Sequence, residues 1–222
     1  MRCIKLIVYK SKIGLIGLGQ WGKNIYRNLE SFNVIEKVYD NNLKNLSQFV
    51  TNKTKIAENP DELILAKNID SIFIASPAST HKEYIINSLL NNKNVFVEKP
   101  LCLSLNESHE IKKIADQMNK IVFVGHLLHY HNAFKELKNN VQLGKIGNLK
   151  VIKSNRLNFG AIRDKESVLY DLASHDISMI LSITKKLPKK VEVNAIFKCS
   201  KKIADYINVI LYFEKGIIAI IN

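Results

Sequence analysis

The sequence predicts an α/β protein: a doubly wound parallel sheet, then a partial α+β part whose sheet is mainly antiparallel. Three observations predict it. A glycine-rich turn, Gly17-Leu18-Gly19-Gln20-Trp21-Gly22, directly follows the apolar run Ile13-Gly14-Leu15-Ile16 and opens a helical pattern. From there to Gly125, short apolar runs alternate with helical patterns, as in a parallel sheet covered on both faces. After Gly144 to Gly147 the runs lengthen and alternate more strictly, as antiparallel strands with one wet face do.

Each element follows from local pattern. Residues 12–16 give the first strand and about 21–31 the first helix; 34–39 is a strand, 43–50 a helix and 54–57 a short strand. Asn59-Pro60-Asp61-Glu62 starts a brief helix, and Asp70-Ser71-Ile72-Phe73-Ile74-Ala75 reads as a buried strand. Thr80 and Glu83 have the spacing of a capping box that opens a helix to about residue 91. Asn94 to Val97 is a strand, Ser104 and Glu107 cap a helix ending near Asn119, and Ile121 to Gly125 closes the series. The first domain is therefore expected over 1–125 and the second over 126–222. In the second, strands are expected at 149–158, 190–199, 203–214 and 216–221, with a helix over about 167–184. The chain stops in the apolar run Gly216-Ile217-Ile218-Ala219-Ile220-Ile221-Asn222. Natural proteins cover a bare apolar edge strand, so an incomplete second domain is expected unless the last strand is central and paired.

Composition narrows the class. At 222 residues and 46% hydrophobic, the chain can bury a sizeable core. Cys3, Cys102 and Cys199 are odd in number and far apart, which makes no disulfide framework and suits a reducing, cytoplasmic setting. No apolar stretch approaches the roughly 18 residues that span a bilayer. Met1 to Lys12, a short apolar patch between Arg2 and Lys10, reads as an extra strand or an extension rather than a signal peptide. The net charge is +13, but the excess is lysine scattered along the helices; the arginines are Arg2, Arg27, Arg156 and Arg163. Without a basic stripe interleaved with aromatic residues, nucleic acid is not the expected partner. Solvated surfaces and long-range attraction for phosphorylated ligands are.

The residue types point to redox chemistry on a small molecule. A strand that stops at a glycine-rich turn and opens into a helix aims backbone N–H groups at one spot, where a pyrophosphate can bind. Gly17 permits the turn, Gly19 the approach of phosphate and Gly22 the packing of helix on strand. A carboxylate about 20 residues further on accepts hydrogen bonds from the adenosine ribose. Asp40, ending Val34-Ile35-Glu36-Lys37-Val38-Tyr39, occupies that place and favours NAD over NADP, since it would repel a 2′-phosphate. Lys99 ends a parallel strand, where open sheets place ligand chemistry, and Pro100 keeps it extended. Taken alone, without the motif around it, it reads as a solvated strand-end lysine. Asp171 and His175 are four apart and share one face of a helix, so the carboxylate can orient the imidazole. Gly125-His126-Leu127-Leu128-His129-Tyr130-His131 holds three histidines, but ligand spacing on one face is not met and no metal site is expected.

The glycine turn, Ala75-Ser76-Pro77-Ala78-Ser79-Thr80-His81, Val97-Glu98-Lys99-Pro100 and Asp171-Leu172-Ala173-Ser174-His175, in that order, resemble the Gfo/Idh/MocA oxidoreductases. The resemblance runs from Ile13 to the C-terminus and implies a Rossmann NAD(P)-binding domain followed by an antiparallel α/β domain. It implies cofactor contacts from Gly17, Gly19, Gln20, Trp21, Gly22, Asp40, Ser76, Pro77, Thr80, His81, Glu98 and Lys99. It also implies that Lys99 lies beside the nicotinamide and the reacting hydroxyl, that His175 carries the proton and that Asp171 positions it. Substrate contacts are implied for His126, Tyr130, Arg156, Asp171 and His175. Relatives often have proline where Asn132 stands, a departure that bears on the local backbone.

The histidine run, Ser154-Asn155-Arg156-Leu157-Asn158 and His175-Asp176-Ile177-Ser178-Met179-Ile180 are similar to a bacterial subgroup acting on nucleotide sugars. That subgroup oxidises UDP-N-acetylglucosamine or its uronate at carbon 3 during surface-polysaccharide synthesis. The resemblance therefore implies an NAD-dependent dehydrogenase of a sugar or nucleotide sugar, with Arg156 able to pair a diphosphate or simply to face solvent. The acid at Asp171, missing from some members of the subgroup, favours an intact site, whereas Asp176 is expected to point away from the chemistry. A homo-oligomer through the C-terminal sheet is expected. Two other readings remain: an NAD-dependent, redox-neutral glycosidase, or a truncated NAD-binding protein without activity.

Overall fold

Every residue of Ile13–Ile16 is buried, so this strand is covered on both faces. Its neighbours Leu15 and Ile16 point opposite ways: Leu15 joins Leu18, Tyr26, Val38 and Leu46, while Ile16 joins Leu63, Ile72, Ile74, Ile85 and Val97. Two apolar cores separated by one sheet are the physical content of a doubly wound fold. The computed structural model describes residues 11–51, 54–157, 167–198 and 203–222. The extension at 1–10 with Arg2 and Cys3, residues Asn158, Arg163 and Cys199, and the outer ends of the strands expected at 149–158 and 190–199 lie outside the described residues.

The chain divides into two units, Met1–Gly125 and His126–Asn222. The first runs β1 (Ile13–Ile16), α1 (Gly22–Ser31), β2 (Ile35–Tyr39), α2 (Leu43–Phe49), β3 (Lys55–Ile56), α3 (Asp61–Ile64), β4 (Ser71–Ile74), α4 (His81–Leu90), β5 (Asn94–Val97), α5 (Leu105–Met118) and β6 (Val122–Val124). The sheet order is β3-β2-β1-β4-β5-β6, and every pairing is parallel. The order reverses between β1 and β4, and a ligand crevice opens beyond the carboxyl ends of strands at such a reversal. The parallel fold class is as expected from the alternating runs.

Two helix starts show what local sequence can and cannot dictate. Ser104 accepts the Glu107 N–H at 3.2 Å and Glu107 Oε2 accepts the Leu103 N–H at 3.0 Å, so α5 opens on a reciprocal cap as its sequence predicts. At α4 the expected Thr80–Glu83 box does not form. Ala78–Thr80 is a 3₁₀ turn, Thr80 has helical backbone angles and its side chain caps nothing. The Thr80 hydroxyl donates instead to Pro77 O at 2.8 Å and thereby tightens the loop after β4.

The second unit opens with a 3₁₀ turn, Leu127–Tyr130, and α6 (Asn132–Gln142). It continues with β7 (Val151–Ser154), a π-type turn Leu169–Ala173 running into α7 (Ser174–Thr184), β8 (Lys190–Ile196), β9 (Tyr206–Tyr212) and β10 (Ile218–Ile221). Helix α6 was not predicted: no residue of it is buried, so its apolar stripe is thin. The sheet order is β7-β10-β9-β8, antiparallel except that β7 and β10 run parallel. One face packs on α7, with Ala173 and Ile180 against Ile207, Val209, Leu211, Ala219 and Ile221. The last strand, β10, is central and paired on both sides, so the bare-edge argument for an incomplete domain does not apply to it. Among the described residues, no helix is long and apolar enough to cross a membrane.

Candidate active site

The glycine turn is shaped by backbone contacts. Gly17 has φ +99, and a Cβ there would lie 2.6 Å from the Ala75 carbonyl carbon; only glycine suits both constraints. A Cβ on Gly22 would lie 2.1 Å from Gly17 O, so the start of α1 sits directly on the turn. Gly19 is the opposite case, with nothing within 4 Å of the Cβ position. Helix α1 carries no side-chain cap and no acid in its first turn, which leaves its positive end facing that open space. Gln20 and Trp21 complete the turn at the surface, Trp21 being 48% exposed. These features fit the diphosphate of a dinucleotide, because a side chain at Gly19 would fill the space a phosphate needs.

Asp40, just after β2, is buried beside the turn. Its Oδ2 accepts the Leu18 N–H at 2.5 Å, and its Oδ1 accepts the Asn42 N–H at 2.7 Å and the Asn45 side-chain N–H at 3.3 Å. A carboxylate offers about four lone-pair directions. Asp40 therefore braces the glycine turn as well as retaining an acceptor direction that suits a ribose hydroxyl.

The loop after β4 stands against the same turn, since the Gly17 Cβ position is 2.7 Å from Ser76 N. Thr80 donates its only hydroxyl hydrogen to Pro77 O, so Ser76 Oγ donates to Thr80 Oγ1 at 2.7 Å. The expected cofactor contact from His81 is not possible through its nitrogens. The ring is 1% exposed, with Nδ1 2.8 Å from Pro100 O and Nε2 2.9 Å from Ser76 O. Lys99, half-buried, precedes Pro100 through a cis peptide at the carboxyl end of β5. Burial pushes the Glu98 carboxyl above the usual carboxylate range, opposed by the Lys99 N–H and ammonium. The absence of a Cβ at Gly125 makes room for that carboxyl, whose Oε1 would stand 3.1 Å from one.

In the second unit the structure places Asp171 in the π-type turn and His175 in the first turn of α7. The Ser174 N–H reaches Leu169 O across five residues, the widened geometry that frequently accompanies functional positions in helices. His129 lies behind this segment. Ser178 Oγ donates to His175 O at 2.8 Å, so the His129 Nε2, 3.1 Å from that hydroxyl, must be the donor. Burial, then the Lys138 charge, hold His129 below the ordinary histidine range. His126 sits just before the 3₁₀ turn with its ring 6.0 Å from that of His129, and Tyr130 at the end of the turn is 58% exposed. Among the described residues no three His, Cys, Asp or Glu side chains form a metal-binding group.

Asp176 has a part that sequence reasoning missed. It is 1% exposed and accepts Arg156 Nε at 2.7 Å, Arg156 Nη2 at 3.2 Å and Ser154 Oγ at 2.6 Å. Arg156 is thus a fork gripped from one edge rather than a strand residue in solvent. A cavity of about 400 Å³ adjoins it, with Leu172, Ala173, Ile207 and Ile221 among its apolar walls. The Arg-to-Asp separation of 20 residues leaves no local signal by which it could be found.

Residues 11–126 match the family model described as the oxidoreductase family with an NAD-binding Rossmann fold, and 134–222 match that of the GFO/IDH/MocA C-terminal domain. The chain belongs to the Gfo/Idh/MocA oxidoreductase family. Among Gfo/Idh/MocA relatives, the myo-inositol 2-dehydrogenase of Thermotoga maritima is 26% identical over 95% of this chain and 67% of its own length. The glucose-6-phosphate 3-dehydrogenase of Bacillus subtilis is 36% identical over 63% of this chain, which covers 41% of that relative. The structure of scyllo-inositol dehydrogenase from Lactobacillus casei with bound NAD(H) and scyllo-inositol superposes with a TM-score of 0.84. At 22% identity over 96% of this chain and 68% of that one, it supports the fold alone. The chain thus spans between about two fifths and two thirds of the curated relatives it matches here. The family model matched by the N-terminal unit is that of an NAD-binding Rossmann fold, so its cofactor is NAD.

Proposed function

We propose that this Gfo/Idh/MocA chain is an NAD-dependent dehydrogenase of a sugar or polyol hydroxyl. The observation that carries the reading is the turn at the end of β5, where Lys99 is held beside the loop that flanks the glycine turn. NAD, when bound, supplies the acceptor for the hydride that leaves the carbinol carbon. Everything else is proton handling and positioning. The Lys99 ammonium stabilises the negative charge that grows on the substrate oxygen, and His175 takes the hydroxyl proton, with Asp171 orienting it. Gly17, Gly19, Gln20, Trp21 and Gly22 cradle the diphosphate, Asp40 meets the ribose, and Ser76, Pro77, Thr80 and Glu98 shape the nicotinamide side. His126 and Tyr130 contribute substrate contacts.

The finer reading is a nucleotide sugar of the UDP-N-acetylglucosamine type, oxidised at carbon 3. Asp176 engages one edge of the Arg156 guanidinium, and the other edge suits a diphosphate. The half-exposed face of the second sheet, with Ile210, Tyr212, Ile218 and Ile220, supports a homo-oligomer, and the cysteine usage supports a cytoplasmic setting.

NADH absorbance is followed with UDP-N-acetylglucosamine, its uronate, myo-inositol and glucose 6-phosphate. Lys99→Ala is expected to lose at least about 10²-fold in turnover while its NAD affinity stays within about threefold. Full turnover in that variant removes Lys99 from the chemistry. A product formed without NADH accumulation would instead make the protein a redox-neutral glycosidase.

A further inference from the structure

His81, the first residue of α4, is buried between two groups of the same kind. Its Nδ1 is 2.8 Å from Pro100 O and its Nε2 is 2.9 Å from Ser76 O. A backbone carbonyl oxygen only accepts. A neutral imidazole has one N–H and one lone pair, so in either tautomer one of these contacts would set a lone pair against a carbonyl. Only a ring with hydrogen on both nitrogens satisfies both.

The two carbonyls belong to the two loops that matter most in this unit. Ser76 follows β4 and abuts Gly17; Pro100 follows Lys99 after β5. These strands are neighbours in register, Ile74 beside Val97, so their loops leave the sheet side by side. The His81 ring, 1% exposed, spans from the Ser76 loop to the Pro100 turn. We propose that His81 is a positioning residue that donates from both ring nitrogens and thereby clamps the cofactor loop to the turn that carries Lys99. The start of a helix and a dry site both oppose a charged ring. Two charge-assisted hydrogen bonds, and the lone-pair contact they avoid, favour it. The consequence for function rests on the dehydrogenase reading of Lys99; the clamp itself does not.

Two measurements separate those two claims. In the ¹⁵N-histidine-labelled full chain near neutral pH, both ring nitrogens of His81, assigned through backbone connectivities, are expected at the protonated position. One nitrogen at the bare-imidazole position overturns the clamp. In turnover, with the sugar that reduces NAD in the assay above, His81→Asn is expected to lower kcat at least tenfold, because both N–H groups of its amide sit on one nitrogen, which cannot reach carbonyls that the ring meets with two separate nitrogens. NAD binding, read from the fluorescence of Trp21, the single tryptophan, should weaken by less than kcat falls. Adding His81→Asn to Lys99→Ala should cost little more, because the clamp acts through Lys99; fully additive losses would show a histidine with no such part. Unimpaired turnover in Lys99→Ala alone, with both His81 nitrogens protonated, would reject the dehydrogenase role of Lys99 and keep the clamp.

Discussion

Around Gly17 the first unit works with backbone: a missing Cβ at 17, another at 22, and amides gathered by Asp40. Around His175 the second unit works with side chains: His129 through Ser178 onto the His175 carbonyl, and Arg156 in the grip of Asp176. A backbone cradle tolerates no change of shape but is indifferent to most changes of charge. A side-chain constellation is the reverse. If this contrast is right, the two regions should fail differently when disturbed.

The largest effect should come from the backbone side. Gly22→Ala would place a methyl 2.1 Å from Gly17 O, where no flexible group can give way. A loss of about 3–5 kcal/mol in urea unfolding is expected, the range of severe strain and overpacking. Gly19→Ala sharpens the comparison, because its Cβ meets nothing within 4 Å. Stability should stay within about 1 kcal/mol of the parent, while NAD binding weakens at least tenfold, about 1.4 kcal/mol. Unchanged NAD affinity in Gly19→Ala would mean that no diphosphate rests there.

The Arg156–Asp176 pair should show an asymmetry that shape alone would not produce. Asp176 is 1% exposed and Arg156 31%, so removing the arginine strands a buried charge, whereas removing the aspartate frees a cation that water can reach. Arg156→Met is expected to cost about 3 kcal/mol and Asp176→Asn about 1–2 kcal/mol, the latter keeping an acceptor for Ser154. Equal losses in urea unfolding would make the pair a packing element only.

The same contrast explains what could be read in the sequence. Three glycines in six residues after an apolar run announce the turn because each demand is local, and Ser104 with Glu107 announces the start of α5 for the same reason. The alternating runs likewise announced the parallel sheet and the later antiparallel one. Thr80 and Glu83 have the same spacing as that cap, yet the hydroxyl is drawn to Pro77 O by the 3₁₀ turn, a competition that spacing does not record. The weak stripe Phe134, Leu137 and Val141 marks α6 only once the Lys and Asn around it are discounted. The pairs that build the second unit's chemistry lie 20 and 49 residues apart, so only the folded sheet and α7 bring them together. The central position of β10 is of the same kind: its apolar run is identical whether it lies at an edge or between partners.

The smallest effect is a pH dependence in the second unit. Unfolded, His129 takes a proton near its model-peptide value of 6.5; folded, burial first and the Lys138 charge second keep it neutral to lower pH. Between those two points the unfolded chain binds more protons, so stability rises with pH across that window. The contribution is complete above about 7 and is lost as pH falls through the folded value. His129→Gln keeps a donor for Ser178 Oγ but does not titrate, so the difference between variant and parent stability should shrink as the pH drops from about 7.5 to about 5. The other histidines are common to both proteins and cancel in that difference. A gap that stays constant over the range would show that the ring takes up its proton at the same pH folded and unfolded, so that the fold does not oppose its charge. The buried imidazole would then be acting through its hydrogen bond alone, and the side-chain region would be as indifferent to charge as the glycine turn.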